Sequence, residues 1–363
     1  MANVQTLSGT LSLLDDYLPP TLVGVAARRR LHRAASTLPA TMSSCVYVEC
    51  RPDDSTNADL IVDVCPAGRG ILAGANPVMR LPESLQQHRV WSRIQRLAER
   101  WDDPADALHG ALSGAWLEFD LGRAGDLHGV PAPSLFIDFN GRLSGAAAHA
   151  SLNGSLRRAA RLLGYGLSPG ATRVLAALSS ESSSGARMLY AGFMLARDTN
   201  DLRVCITGVT REALPGYLRA LAWPGDMTAV IELVESLATH DGGAQDRPAI
   251  IHLDLSTSIG ASIGLEYPFA RAPQLRGVLA EAGFLDALVR RGLLTRAQCE
   301  QLHAWVGLER RRMPHQLWPS FLVRRVNHVK LVQTAGGAFG AKVYLCAEHT
   351  MRVRARERGI APQ

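Results

Sequence analysis

Residues 45–65 read CVYVECRPDDSTNADLIVDVC, and this stretch predicts the first element of the fold. Its two arms, 45–50 and 58–65, alternate apolar and polar side chains, which is typical of β-strands that are buried on one face. The segment RPDDSTN between them is dense in residues that favour turns. The stretch therefore predicts a β-hairpin with one apolar face and one polar face.

The same pattern recurs four more times along the chain. The paired runs are 115–121 with 134–140, 187–197 with 202–209, 249–256 with 262–269, and 328–334 with 341–349. Between the hairpins, apolar residues recur about every 3.6 positions, as in helices. The helical segments include 20–36, 84–101, 152–164, 168–179, 227–240, 274–292 and 295–308. Gly164 and Gly292 stand where helix C-caps belong, and Thr295 stands where an N-cap belongs.

The order of elements is a helix pair followed by a hairpin, repeated five times. The hairpins lie near 45–65, 115–140, 187–209, 249–269 and 328–349. Hairpins give antiparallel neighbours, and ten such strands lose their exposed edges if they close into a barrel with helices outside. We therefore predict an α+β fold in which residues 1–350 form one barrel domain and residues 351–363 form a basic tail. An open sheet with its polar face in water remains an alternative, because alternation alone does not separate the two.

Bulk composition excludes several classes of protein. Of the 363 residues, 47% are hydrophobic and 20% are charged, which allows a large core. No apolar run reaches the roughly 18 residues of a membrane span, and the first residues lack the basic segment of a signal peptide. We expect a cytoplasmic protein with no membrane partner. The net charge of +6 comes without a basic stripe and interleaved aromatics, so we expect no nucleic-acid partner either.

The six cysteines are scattered and include no CxxC pair. Zinc sites and disulfide scaffolds both need clustered spacing, so we expect reduced, mostly structural thiols. The only two lysines, Lys330 and Lys342, both fall in the last hairpin. Both also belong to the polar faces of their strands.

Repeated helix–helix–strand–strand units that close a ten-stranded barrel resemble the ABBA, or PT-barrel, prenyltransferases. The resemblance lies in the order of elements and covers most of the chain. The segments WLEFDL (116–121), SIGLEY (262–267), HVKLV (328–332) and AKVYL (341–345) also resemble an uncharacterised bacterial family, for which a link to modified-peptide biosynthesis is a hypothesis.

The first resemblance implies transfer of an allylic prenyl group from a diphosphate to a small-molecule or peptide acceptor inside the lumen. It implies a diphosphate site at Lys330, Lys342, Tyr344 and Arg203. It also implies an aromatic lining of the substrate pocket, for which Trp116, Phe136 and Tyr190 are the candidates. Glu118 is our first candidate for the acidic residue that orients the acceptor or takes its proton, and Glu266 is the second. His252, Asp254 and His328 would complete the substrate pocket.

One departure from the family counts against this interpretation. The polar faces carry at least seven carboxylates, more than their basic groups, whereas a diphosphate pocket should be net positive. They are Glu49, Asp63, Glu118, Asp120, Asp138, Asp254 and Glu266. They would lie at the opposite end of the lumen, bind Mg²⁺, or recognise a cationic acceptor. We expect no required cofactor, with Mg²⁺ left open.

Two other functions remain open at this stage. The chain could be a noncatalytic peptide-binding or scaffold protein of a peptide natural-product pathway. It could also be a different enzyme, in which His252, Asp254 and Glu266 do acid–base or metal chemistry. Two motif matches are set aside. We interpret DDPAD (102–106) as a solvated turn and GGAFGAK (336–342) as the turn of the last hairpin, because no helix follows it.

Overall fold

A computed structural model describes residues 6–122, 131–139, 146–180, 185–197, 201–238, 248–311 and 320–350. The predicted basic tail at 351–363 lies outside the described residues. No helix in these ranges is long and apolar enough to cross a membrane.

The described strands all belong to one antiparallel sheet. They are β1 (Cys45–Arg51), β2 (Asp54–Asp63), β3 (Leu112–Phe119), β4 (Ser134–Phe139), β5 (Arg187–Phe193), β6 (Leu202–Thr207), β7 (Ile250–Leu255), β8 (Ile259–Pro268), β9 (Gly307–Arg311), β10 (Ser320–Gln333) and β11 (Phe339–Thr350). The neighbours run in chain order from β1 to β8, then to β10 and β11. Because β11 pairs with β1 as well as with β10, ten strands close on themselves, and the predicted barrel is confirmed.

The helices precede the first hairpin or lie between successive hairpins. They are α1 (Leu7–Ser12), α2 (Val25–Ala35), α3 (Pro66–Leu72), α4 (Glu83–Gln86), α5 (Arg89–Asp102), α6 (Ala107–Ala111), α7 (Ala146–Leu162), α8 (Pro169–Ser180), α9 (Leu214–Ala220), α10 (Met227–Ala238), α11 (Arg271–Gln274), α12 (Ala282–Arg290) and α13 (Arg296–Trp305), with a short 3₁₀ turn at Ala40–Met42. Thr295 and Gln298 form a complete capping box at the start of α13. Gly164 and Gly292 follow their helices with φ of +73° and +69°, as expected of C-caps.

The apolar face of each strand points outward, under the helices. Val48, Leu117 and Leu253 are at most 2% exposed and belong to one hydrophobic core with helix residues such as Leu31 and Trp91. Burying a large aliphatic side chain stabilises the fold by about 1.5–3 kcal/mol, so this shell decides which strand face turns outward. A shift of one residue in any strand would exchange its two faces, so the polar residues are committed to the lumen.

Two expected helices are wrong in extent. The predicted helix at 274–292 is interrupted after α11, where Gly277 has a φ of +73°, and α12 begins only at Ala282. The predicted helix at 295–308 ends at Trp305, and β9 follows it. β8 pairs with β10 only from His328 onward, so β9 covers the edge that would otherwise be open at Ser320–Arg324.

Candidate active site in the barrel lumen

Lys330 and Lys342 face each other across β10 and β11 inside the barrel. The two residues are direct cross-strand partners. Lys330 is only 5% exposed, and its Nζ lies 5.1 Å from the centre of the Tyr344 ring. Within the described residues, no hydrogen bond or ion pair joins this ammonium group to a partner. Burial, together with the charges of Lys342 and Arg203, lowers the pKa of Lys330 to about 8, although Glu49 and Glu118 act in the opposite direction.

Glu49 on β1 has several cationic side chains around its carboxylate. Its carboxylate accepts hydrogen bonds from the Lys342 ammonium, the Tyr344 hydroxyl and, at 3.2 Å, the Arg51 guanidinium. The side chain is 1% exposed. Burial raises its pKa, but the opposing charges of Lys342, Lys330 and Arg51 outweigh it, so the pKa of Glu49 is lowered and the group is ionised. The sequence placed Glu49 in the lumen but gave it no role.

Arg51 and Asp59 were missed by the sequence reasoning. Arg51 contacts the Asp59 carboxylate at 2.5 Å, and the backbone N–H of Leu121 donates to the other oxygen at 2.8 Å. Asp59 has the same parity on β2 as the predicted lumen residue Asp63, so the alternation already contained the signal. Arg51 follows the predicted strand 45–50, and only the structure shows that it turns back toward Glu49.

Arg203 is held by Asp254 on the neighbouring strand. Its guanidinium donates twice to the Asp254 carboxylate, at 2.6 and 2.9 Å. Burial raises the pKa of Asp254, but the charge of Arg203 and its hydrogen bonds lower it by more, so the pKa lies below its ordinary value. Asp254 is therefore the counter-ion of Arg203. The sequence grouped Asp254 with His252, but its carboxylate pairs with Arg203 instead. A second pair, Arg197 with Asp120 at 2.9 Å, lies near the same end of the barrel.

Glu266 and His252 form a hydrogen-bonded pair on the side of Lys330 that faces away from Lys342. The Glu266 Oε2 lies 2.9 Å from the His252 Nε2, and the His252 Nδ1 lies 3.3 Å from the Cys205 Sγ. His328 lies 3.6 Å from the other oxygen of Glu266. Burial raises the pKa of Glu266 to about 7, and Lys330 limits the rise. Burial and nearby cations, Lys330 first, lower the pKa of both imidazoles, so each histidine is neutral at pH 7.

Glu118 has a different environment from Glu266. It is 6% exposed, and its carboxyl group makes no hydrogen bond or ion pair with another described residue. Burial and the negative charges of Glu49 and Asp120 raise its pKa to about 7, against the influence of Lys330 and Arg203. A carboxyl group with this pKa exists in both protonation states near neutral pH, which is the condition for a proton acceptor.

These contacts and pKa shifts account for five of the seven lumen carboxylates counted in the sequence. Glu49, Asp254 and Asp120 are neutralised by Lys342, Arg203 and Arg197, respectively. Glu118 and Glu266 both have pKa values of about 7 and are partly protonated at neutral pH. Lys330 thus remains as a buried cation with no carboxylate in ion-pair contact among the described residues.

Three aromatic rings lie on adjacent strands of the lumen wall. Trp116 and Tyr190 meet edge to face with their centres 5.0 Å apart. Phe136 lies against Gly192, where a Cβ atom would come within 2.5 Å of its ring. Gly192 is the cross-strand partner of Arg203, so this aromatic wall lies next to the cations. His328 stacks on Tyr344 with ring centres 3.8 Å apart.

A cavity of about 60 Å³ opens beside the cations. Its walls include Arg203, His252, Asp254, Gly264, Lys330 and Lys342. Small-molecule pockets usually measure about 300 Å³ or more, so this cavity holds only part of a prenyl diphosphate. It brings together the predicted residues Arg203, Lys330 and Lys342, while Tyr344 lies behind them against Glu49.

The carboxylates of the described lumen are directed at cations and are not grouped as metal ligands. No group of three or more His, Cys, Asp or Glu side chains is arranged to hold a metal within the described ranges. The carboxylates Glu49, Asp59 and Asp254 are directed at guanidinium or ammonium groups instead.

The acidic motif lies in the helical layer, and the glycine-rich motif reaches the lumen only through its last residue, Lys342. Asp102 closes α5 in an ion pair with Arg69, and Asp106 caps α6 by accepting from the N–H of Leu108. Residues 334–338 form the turn between β10 and β11, and the rest of the glycine-rich segment, 339–342, begins β11.

Comparison with known proteins yields similar folds but no sequence family. No protein-family model matches the chain, and no curated protein matches it. Among solved structures it is similar to 6-dimethylallyltryptophan synthase from Micromonospora olivasterospora, in complex with DMASPP and Trp, with 16% identity and a TM-score of 0.47 over 93% of this chain and 95% of that one. It is also similar to 5-dimethylallyl tryptophan synthase from Streptomyces coelicolor, in complex with DMASPP and Trp, with 15% identity and a TM-score of 0.48 over 98% of both chains. A further 6-dimethylallyl tryptophan synthase has 16% identity and a TM-score of 0.44 over 91% and 84%.

The architecture is that of a PT barrel. The strand order and the closure between β11 and β1 establish this by themselves.

Proposed function

We propose that this PT barrel is a prenyltransferase that moves an allylic prenyl group from a diphosphate to an acceptor in the lumen. The observation that carries the proposal is Lys330: a buried ammonium without an anionic partner in the described part of the chain, on the wall of a cavity. Burying a cation without a counter-ion is costly, and a bound anion would remove that cost. A diphosphate matches the charge and the position of Lys342 and Arg203 beside it.

In this proposal the diphosphate displaces existing partners. Lys342 and Tyr344 would exchange contacts with Glu49 for contacts with phosphate oxygens, and Arg203 would share its guanidinium with Asp254. A hydrogen bond to a charged group contributes about 1.5–3 kcal/mol, so three or four such contacts suffice to hold a diphosphate against these losses. The prenyl tail would then lie along the aromatic wall of Trp116, Phe136 and Tyr190, whose π faces stabilise an allylic cation.

The reaction needs one leaving group and one proton acceptor. The bond between C1 of the prenyl group and the diphosphate oxygen breaks, and the electron pair leaves with the diphosphate. A nucleophilic atom of the acceptor forms the new bond to C1, and its proton passes to a carboxylate. Glu118 is our first choice for this acceptor and Glu266 our second, because both have pKa values of about 7. The acceptor is a small molecule or a peptide.

The test is binding followed by turnover. Dimethylallyl or geranyl diphosphate should raise the melting temperature of the protein, and diphosphate release should follow when an aromatic acceptor is added. A ligand at 100 times its dissociation constant stabilises the native state by about 2.7 kcal/mol, which a thermal scan resolves. Lys330→Met should abolish both effects. Arg290→Met, at an exposed helix position, is the matched control and should behave as wild type.

Two outcomes would contradict the proposal. If Lys330→Met retained wild-type binding and turnover, the cation would not hold the donor. If no prenyl diphosphate bound while a peptide bound measurably, the chain would be a scaffold rather than a transferase. Repeating the turnover assay with EDTA tests the dependence on Mg²⁺.

A further inference from the structure

Cys45 and Cys346 lie together where the first and last strands of the barrel meet. Cys45 begins β1, and Cys346 lies on β11 opposite Tyr47, so the two cysteines are diagonal neighbours on the lumen face. Their Sγ atoms are 3.2 Å apart. Cys45 is 6% exposed and Cys346 is fully buried. No other pair among the six cysteines, all of which lie in described ranges, is in thiol contact.

The surroundings of this pair favour one reactive sulfur. Burial raises the pKa of Cys346, but the hydrogen bond from Cys45 and the charge of Arg325 together lower it, and the net direction is down. Arg325 is the cross-strand partner of Cys346 and makes no ion pair with a carboxylate among the described residues. The hydrogen bond with Cys346, and then burial, raise the pKa of Cys45 instead. A thiol that accepts a hydrogen bond from a neighbouring thiol and lies beside a guanidinium loses its proton more readily than its partner, which makes Cys346 the better nucleophile of the two.

We propose that Cys45 and Cys346 are a site of reversible oxidation, which links β1 to β11 by a disulfide when a peroxide reaches this end of the lumen. The Cys346 thiolate attacks one peroxide oxygen, the O–O bond breaks, and a sulfenic acid and hydroxide form. The Cys45 sulfur then attacks the sulfenic sulfur, the S–S bond forms, and the S–O bond breaks. The Cys45 proton leaves with the departing oxygen as water. In total, two thiols and one peroxide give one disulfide and two waters.

The position of this site gives the oxidation a structural consequence. The disulfide would join positions 45 and 346, close to the two ends of the barrel domain, and would covalently fix the pairing that closes the sheet. Cross-linking distant parts of a chain restricts the unfolded state, so the oxidised protein should melt at a higher temperature. Tyr47, Asp63 and Arg325 beside the pair are only half-buried, so this end of the lumen lies close to solvent. The inference does not depend on prenyl transfer.

The experiment treats the purified, reduced full-length chain with hydrogen peroxide and then blocks free thiols. Intact mass spectrometry should show the loss of two hydrogen atoms, and proteolysis without reductant should give one linked pair of peptides containing Cys45 and Cys346. Dithiothreitol should reverse both the mass change and the rise in melting temperature. Cys45→Ser should stop the cross-link and leave a sulfenic acid at Cys346 that dimedone traps. Cys50→Ser, on the same strand but facing the helices, is the matched control and should keep the cross-link.

Three results would overturn the proposal. They are oxygen addition without any cross-link in the wild-type chain, a linked peptide that involves a different cysteine, and a cross-link that survives Cys45→Ser. The wild-type mass measurement does not rely on a variant that folds.

Discussion

The affinity of the lumen for a diphosphate should fall as Lys330 loses its proton. Lys330 has a pKa of about 8 in the free protein, because burial and the charges of Lys342 and Arg203 disfavour its ammonium form. If only the charged form binds the anion, the apparent dissociation constant scales inversely with the charged fraction. That fraction is about nine-tenths at pH 7 and about one-tenth at pH 9, so the dissociation constant should rise about tenfold.

The direction of the effect follows from linkage. A bound anion stabilises the ammonium form, so binding raises the pKa of Lys330, and protons are taken up when binding occurs above pH 8. Without ligand, the unfolded chain binds more protons than the native protein between the lowered pKa of about 8 and the ordinary value of 10.5. The free energy of unfolding should therefore increase with pH across this window. Glu118 and Glu266, with pKa values of about 7, are already mostly ionised throughout this window.

The small number of lysines makes the measurement direct. Protein labelled with ¹³C at the lysine ε-carbon should give two side-chain signals, one for Lys330 and one for Lys342. Lys342→Arg assigns them, and a pH titration reads each pKa with and without inorganic diphosphate. Calorimetry in two buffers of different ionisation enthalpy gives the proton uptake. A Lys330 signal that titrates near 10.5, or an affinity that is unchanged from pH 7 to pH 9, would refute the reasoning.

Three further predictions follow from the lumen contacts. Glu118→Gln should lower kcat by about 10²-fold or more and remove the rise of kcat through pH 7, whereas Glu266→Gln should keep that rise; pH–rate profiles of both variants decide between the two carboxylates. Glu49→Gln removes the ionised partner of three donors and should lower the free energy of unfolding by about 3 kcal/mol in urea titrations. Added inorganic diphosphate should then raise the free energy of unfolding of this variant by more than it raises that of the wild type. Gly192→Ala should destabilise the barrel by about 1–3 kcal/mol, because its Cβ would overlap the Phe136 ring, and the double variant with Phe136→Val should recover part of the loss; an additive double variant would contradict this contact.

The sequence by itself determined the strands and the face that each one turns inward. Strand periodicity is a local property: Val48 and Glu49 are adjacent, and their alternation is enough to send one to the helices and the other to the lumen. The repeated hairpins predicted closure because a closed barrel leaves no exposed strand edge, and the structure confirms the barrel. The alternation along each strand was enough to place the lysines, the aromatic residues and both candidate glutamates on the inward faces of their strands.

Partners across the lumen were decided only by tertiary structure, because they depend on how the strands are staggered when the barrel closes. No sequence spacing shows that Glu49 binds Lys342, which lies 293 residues away, or that Asp254 binds Arg203 rather than joining His252. The same holds for β9, which forms because the end of β10 has a free edge that only the assembled sheet creates. Lys330 is the clearest case: the sequence shows a lysine on a polar face, while the missing counter-ion in the described lumen is a property of the closed barrel.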